Sequence, residues 1–238
     1  MLNLKKNIAT TRSIFSILIV ISVLFLGFDS KNEETPIALV KKIVKNVNHR
    51  ESESSDWEKA KTGMPLKSGE EVKTGFRSLA LVLFTDGSGL LRVRENSILN
   101  IHGKQTDKNL NKNVLIQKGF VGFEINKQEA EEFKFTTPTA VAAIRGTEGF
   151  VEIGENNLSI IACSEGKIEV ESLIGIKSKI FVEGGFFAIQ LANGYFKIEK
   201  LTDEMMGKLN NTKNSSLDKI FIETKEGTIE VEYYSDDE

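Results

Sequence analysis

The 238-residue sequence carries 31 lysines and arginines against 34 aspartates and glutamates, a net charge of −3, and 40% of its side chains are apolar. This composition belongs to a folded chain with material for a sizeable core and excludes an intrinsically disordered one. The even mixture of charge excludes the basic face of a nucleic-acid-binding protein, and a single cysteine, Cys163, excludes an internal disulfide.

Residues 1–28 read as a signal anchor or signal peptide. Lys5, Lys6 and Arg12 precede Ser13–Phe28, SIFSILIVISVLFLGF, a run without charge. A basic flank followed by an apolar core is the secretory pattern, with the basic end held inside. As a helix the run rises ~24 Å, a little short of the ~30 Å hydrocarbon layer but workable with flanking residues. Phe25 and Gly27, or Phe28 and Ser30, stand where a cleavage site wants two small residues. An uncleaved anchor is therefore favoured over a cleaved signal, which would make the protein secreted. Residues 13–28 then cross a membrane once, leave the folded part extracytoplasmic, and leave Met1–Arg12 too short for a folded domain.

Residues 29–36 form a polar linker, and the folded domain occupies residues 37–200. Ile37–Val47 is a strand candidate, His49–Asp56 a loop, and Trp57–Leu66 opens with a short helical turn that ends at Gly63 and Pro65. In Arg77–Thr85 both faces are apolar, which predicts a strand buried on both sides. Asp86-Gly87-Ser88 is a tight turn. Strands at Leu90–Arg94 and Ile98–His102 meet across Glu95-Asn96-Ser97. Asp107–Asn113 is a loop, and Lys118-Gly119 separates two strands, Val114–Gln117 and Phe120–Ile125.

Phe133–Thr136 leads into TTPTAVAAIRGTEGFVEI, Thr136–Ile153. This stretch has a proline-bearing entry, a run of small apolar residues, the turn Arg145-Gly146-Thr147-Glu148 and a further strand. Leu158–Cys163 and Lys167–Glu171 then flank Glu165-Gly166, Lys177–Val182 and Phe186–Leu191 flank Gly184-Gly185, and Tyr195–Lys200 follows. Residues 201–238 hold a short helix at Leu201–Leu209, a polar linker at Asn210–Ser216, a terminal strand and an acidic tail at Tyr233–Glu238. The terminal EGTIEVE at Glu226–Glu232 echoes EGKIEVE at Glu165–Glu171. Many short strands with turn signals every 8–12 residues define an all-β fold. Periodicity leaves a compact sandwich, a barrel and an irregular β-solenoid open.

No catalytic, cofactor-binding or metal-binding residue set is predicted, and no cofactor. There is no GxSxG and no oriented Cys–His pair. His49 and His102 fall in polar loops without metal-ligand spacing. Cys163, in LSIIACSEG, reads as a buried small apolar residue. Asp86-Gly87-Ser88 lacks the later oxygen ligands of a calcium loop, and Glu129–Glu132 reads as a solvated loop face. Arg145 and Glu148 invite two readings. In the packing one, Arg145 caps strand-end carbonyls or forms a buried pair; in the functional one, the two recognise a ligand carboxylate or a partner's backbone. Trp57 reads as a core anchor, and an exposed Trp57 would instead reopen carbohydrate binding.

One ordered set of residues carries a resemblance. Trp57, Ala60, Gly63, Leu66 and Gly69 are followed by Thr74-Gly75, Ser78, Ala80, Leu83-Phe84, Asp86-Gly87-Ser88 and Arg94-Glu95-Asn96-Ser97. Gly119, Phe135, the run Thr137–Glu148 and Glu165-Gly166 complete it. Over about Ile37–Glu171 the chain resembles the FecR domain. Gly89 and Gly149 depart from the pattern, and Gly149 is expected to loosen the start of its strand. The resemblance implies an extracytoplasmic β domain tethered to a bacterial cytoplasmic membrane, periplasmic in a diderm, that senses a protein partner. In the best-known members a cytoplasmic segment regulates a sigma factor; Met1–Arg12 is too short for that segment. The expected function is a non-catalytic binding module for a protein partner in envelope signalling or organisation, with a cell-wall glycan-binding structural protein as the alternative.

Overall fold

The computed structural model describes residues 35–105, 110–127, 133–154, 156–214, 218–224 and 227–233. The expected anchor at 13–28, most of the linker at 29–36, the Glu129–Glu132 face and the end of the acidic tail lie outside these residues. Among the described residues no helix is long and apolar enough to cross a membrane.

The organising element is β9, Leu110–Ile125, a single strand of 16 residues. Its first half pairs with β8 (Ile98–Gln105) antiparallel and with β10 (Phe133–Thr136) parallel. Its second half pairs antiparallel with β7 (Gly89–Val93) and β12 (Thr147–Ile153). One strand is thus shared by two ladders. The first ladder continues outward through β5 (Glu71–Thr74), β2 (Val47–Arg50) and β3 (Glu58–Lys59) on one side. On the other side it runs through β11 (Ala140–Ile144), β14 (Lys167–Ser172) and β15 (Lys179–Glu183). The second runs through β6 (Leu79–Phe84) and β1 (Ala38–Val44), which also meets β4 (Pro65–Leu66). Its other side holds β13 (Ser159–Glu165), β16 (Phe186–Gln190) and β17 (Phe196–Lys200). Together they make one sheet of seventeen strands.

The two ladders close on each other through their aromatic side chains. Phe84 of one meets Phe133 of the other edge-on with ring centroids 5.0 Å apart, and Phe123 meets Phe135 at 4.8 Å. Edge-to-face and tilted pairs at these distances add to the area they bury. The all-β expectation holds, as two packed layers. After β9 the chain lays down strand pairs alternately, β10–β11 and β14–β15 in the first layer, β12–β13 and β16–β17 in the second. That alternation is the turn-then-strand rhythm seen in the sequence.

Several boundaries differ from expectation. The strand predicted to break at Lys118-Gly119 is continuous, because Gly119 adopts φ 92° and lets β9 pass from one layer to the other. The inward positions change phase there, from Leu110, Val114 and Ile116 to Val121, Phe123 and Ile125, so the sequence reads as two strands. Ile37–Val47 is instead divided at Lys45 (φ 57°) into β1 and β2, one in each layer. The helical turn expected at Trp57 is absent: Glu58–Lys59 and Pro65–Leu66 are short strands. Trp57 is half-buried outside the core. The Arg50 guanidinium lies 4.5 Å from its ring centroid and Lys73 Nζ 5.3 Å away, a cation–π arrangement that suits a surface indole.

The helix α1 spans Asp203–Asn214, longer than predicted, and takes in the start of the expected polar linker. Thr202 Oγ1 accepts from Met205 N at 3.2 Å, and Asp203 and Glu204 stand in the first turn, where the helix dipole favours acids. Leu209 is buried against Phe120, Phe150, Ala162 and Phe187 on the outer face of the second layer. The hairpin β18 (Asp218–Thr224) and β19 (Gly227–Tyr233) forms its own two-stranded sheet, where the sequence pattern predicts a single terminal strand.

Gly149 does not loosen its strand. It sits at a bulge, where the register with β13 shifts, and a Cβ there would lie 1.9 Å from the Ala162 carbonyl oxygen and 3.0 Å from Phe123. The backbones approach because there is no side chain. Gly149→Ala is expected to cost about 1–3 kcal/mol through forced displacement, read as a lower midpoint in urea unfolding.

Candidate functional site

At one end of the strands the turns carry the signature residues, and their polar side chains are committed to one another. Thr74 Oγ1 accepts from the Ser97 amide at 3.0 Å and donates to the Arg94 carbonyl. Ser97 Oγ accepts from the Phe120 amide at 3.0 Å. The Asn96 amide donates to the Gly75 carbonyl at 3.1 Å, and the Arg77 amide to Glu95 Oε2 at 2.7 Å. Ser78 Oγ accepts from the Asn46 amide at 3.0 Å. A Cβ on Gly119 would fall 2.2 Å from Ser97 Oγ, so the turn and the bend of β9 fit only with glycine at that position.

A second network holds the proline-bearing entry. Thr137 Oγ1 accepts from the Ala140 amide at 2.8 Å and hydrogen-bonds Ser159 Oγ at 2.7 Å, which also meets Thr139 Oγ1 at 2.8 Å. Gln190, fully buried, donates Nε2 to the Thr139 carbonyl at 2.7 Å and to Ser172 Oγ at 2.8 Å. The signature threonines and serines therefore hold turns together, since buried polar groups need such partners.

This network positions an exposed apolar tip. Ser172–Ser178 and Leu191–Tyr195 are stitched by Ile176 N to Asn193 O at 3.0 Å and Ser178 Oγ to Gly194 O at 2.6 Å. Gly175 and Gly194 approach the opposite loop's backbone to within distances no Cβ would allow. From this stitched pair Leu173, Ile176, Leu191 and Tyr195 project with exposures of 46%, 52%, 40% and 49%. The sequence signal was an apolar run around Gly175 where a turn is usually polar.

At the opposite end lie the turns at Asp86 and Arg145. Asp86-Gly87-Ser88 is a turn, as expected, with the Ser88 amide donating to Asp86 Oδ1 at 3.0 Å. Asp86 also pairs with Lys112, a strand residue whose side chain is buried. Burial alone would raise the Asp86 carboxyl; the Lys112 ammonium and the Ser88 amide outweigh it and hold the group below its ordinary value. Arg145 lies exposed in its turn and Glu148 is half-buried in β12, so a buried ion pair at Arg145 is corrected to a surface residue.

The two histidines are not loop residues. His49 is buried in β2, with Nε2 3.0 Å from Glu70 Oε2, and His102 is exposed in β8. Neighbouring Arg50 pairs with fully buried Glu71 at 2.6 Å, and Gln117 Nε2 reaches the other oxygen of Glu71 at 3.2 Å. Among the described residues no group of three acids, histidines or cysteines could hold a metal ion. Cys163 is buried in β13, where burial pushes the thiol up to about 11.

Fold and site together define a class: a two-layered, mostly antiparallel β domain whose polar signature stabilises turns and whose loop ends face outward. The family model described as FecR protein matches residues 70–169, and over this stretch the chain is similar to that family. Two solved structures of a candidate anti-sigma factor from Parabacteroides distasonis ATCC 8503, at 1.65 Å and 2.50 Å resolution, are similar in fold. Each is 16% identical, with a TM-score of 0.50, covering 65% of this chain and 68% of that one. No curated protein matches the sequence.

Two outcomes follow from these side chains. Asp86 contributes stability above its unfolded value near 3.8, and that contribution is lost as pH falls through the lower folded value. Asp86→Asn should therefore lower the melting temperature at pH 7 and flatten its acid dependence below pH ~4. The expected loss is ~2 kcal/mol, less than for a fully enclosed pair because 26% of the Asp86 side chain meets solvent. Cys163 should resist a maleimide dye in the native protein and label fully in urea; rapid native labelling would contradict its burial.

Proposed function

We propose that this chain is a membrane-tethered, extracytoplasmic, non-catalytic binding module that recognises a protein partner in envelope signalling or organisation. The FecR match over residues 70–169 is the observation that carries the reading. The apolar run Ser13–Phe28 with its basic flank supports the tether. The folded domain begins with β1, whose first residues lie beside the Asp86 turn, with Thr85 Oγ1 donating to the Pro36 carbonyl at 3.0 Å. The apolar tip lies at the other end of the strands from the Asp86 turn. Leu173, Ile176, Leu191 and Tyr195 there suit a protein contact, since clustered exposed apolar side chains mark such surfaces.

A glycan platform needs an open aromatic face. The Trp57 ring has the Arg50 guanidinium over it, which favours the protein-binding reading over the cell-wall one. The domain organisation proposed with this function is a tether at 1–28, a linker at 29–36, the β domain at 37–200 and an appended helix and hairpin at 201–238.

The test is photo-crosslinking in cells from Leu173, Tyr195 and, as a contrast, Arg145, followed by mass spectrometry. A discrete protein adduct from the tip positions is expected, and Leu173→Asp with Tyr195→Asp should abolish it without lowering the melting temperature. Adducts to cell-wall glycan alone, or none above background, would overturn the protein-binding reading.

A further inference from the structure

A pocket of about 290 Å³ opens on the outer face of the second layer, between the Arg94-Glu95 turn and helix α1. Its lining includes Phe120 and the charged residues Arg94, Glu95, Glu152 and Lys208. Arg94 and Glu95 belong to the family signature, yet the turn network uses only part of them. The Arg94 carbonyl and amide join the network, as does one Glu95 oxygen. The Arg94 guanidinium has no hydrogen bond or ion pair among the described residues. Glu152 and Lys208 face each other loosely, 3.9 Å apart, with side chains 29% and 46% exposed.

We propose that this pocket binds a small zwitterion, an α-amino acid or a dipeptide with free termini. The charges decide the class. Two cations and two carboxylates sum to zero, so a phosphate would meet Glu95 and Glu152 and a polyamine would meet Arg94 and Lys208. A ligand carrying one carboxylate and one ammonium satisfies both signs. The free guanidinium offers the planar fork that takes a carboxylate through two parallel hydrogen bonds. Glu95 and Glu152 receive the ammonium, and Phe120 receives a short apolar side chain. The volume lies at the small end of ligand pockets, with room for one or two residues rather than a nucleotide or a lipid.

The full-length protein in detergent micelles is titrated with L-alanyl-L-alanine by calorimetry, beside acetate, ethylammonium and the dipeptide capped at both ends. Saturable binding of the free dipeptide is expected, with neither single-charge fragment nor the capped peptide saturating over the same range. Arg94→Gln is expected to weaken binding about tenfold or more, and Glu152→Gln to weaken it as well. Both should leave the unfolding midpoint unchanged, because neither side chain supports the turn network. No binding at millimolar dipeptide would overturn the proposal. So would equal binding of the capped peptide, or binding that Arg94→Gln leaves intact.

Discussion

The contact between Ser97 and Gly119 is the constraint on which the rest of the fold rests. β9 changes layers at Gly119, and it does so against the side chain of Ser97, with no room for a Cβ. The same serine hydroxyl binds the Phe120 main chain, while Thr74 holds the serine's own amide. Strands β5, β7 and β8 are thereby aligned with both halves of β9 at a single point. Beyond that point each half of β9 is a template, and the later strand pairs alternate between layers because each finds an open edge left by the pair before last.

Charge is handled differently inside and outside this frame. Glu71 is fully buried yet flanked by Arg50 and Gln117, and Lys112 is buried against Asp86. Leaving one member of such a set without its partner would strand a charge away from water, so these groups act as alignment pins between neighbouring strands. On the outer face Glu152 and Lys208 are partly solvated and loosely paired. Groups of that kind are free to exchange one partner for another.

Much of this frame was legible in the sequence, for identifiable reasons. The alternating leucines and valines of β6, the Asp86-Gly87-Ser88 turn and the run through Arg145 follow from local chemistry, and the structure places them as strand, turn and strand-turn-strand. Local chemistry could not show that Gly119 joins rather than separates two strands, because the phase change of the inward positions arises from tertiary pairing with different neighbours. Gly149 misled for a related reason: its role depends on the carbonyl of Ala162 on another strand. Residue type alone points Trp57 to the core, and the nearby Arg50 and Lys73 that explain its surface position come from two other elements. The pocket was illegible because α1 and the Arg94 turn, far apart in the chain, build it together.

The sharing of β9 has a kinetic consequence. Its first half cannot complete its pairing until β10 has been made, and its second half waits for β12, so neither layer can be finished before the other is under way. The parallel match of Phe133 with Lys112 and the antiparallel match of Ile153 with Gly119 close long loops whose entropy is lost before the contacts reward it. A topology dominated by such separations folds slowly. Until β10 and β12 arrive, β9 has only β8 and β7, its earlier neighbours in the chain, as partners. Folding of this chain is therefore expected to be limited by the arrival of those later strands rather than by its size.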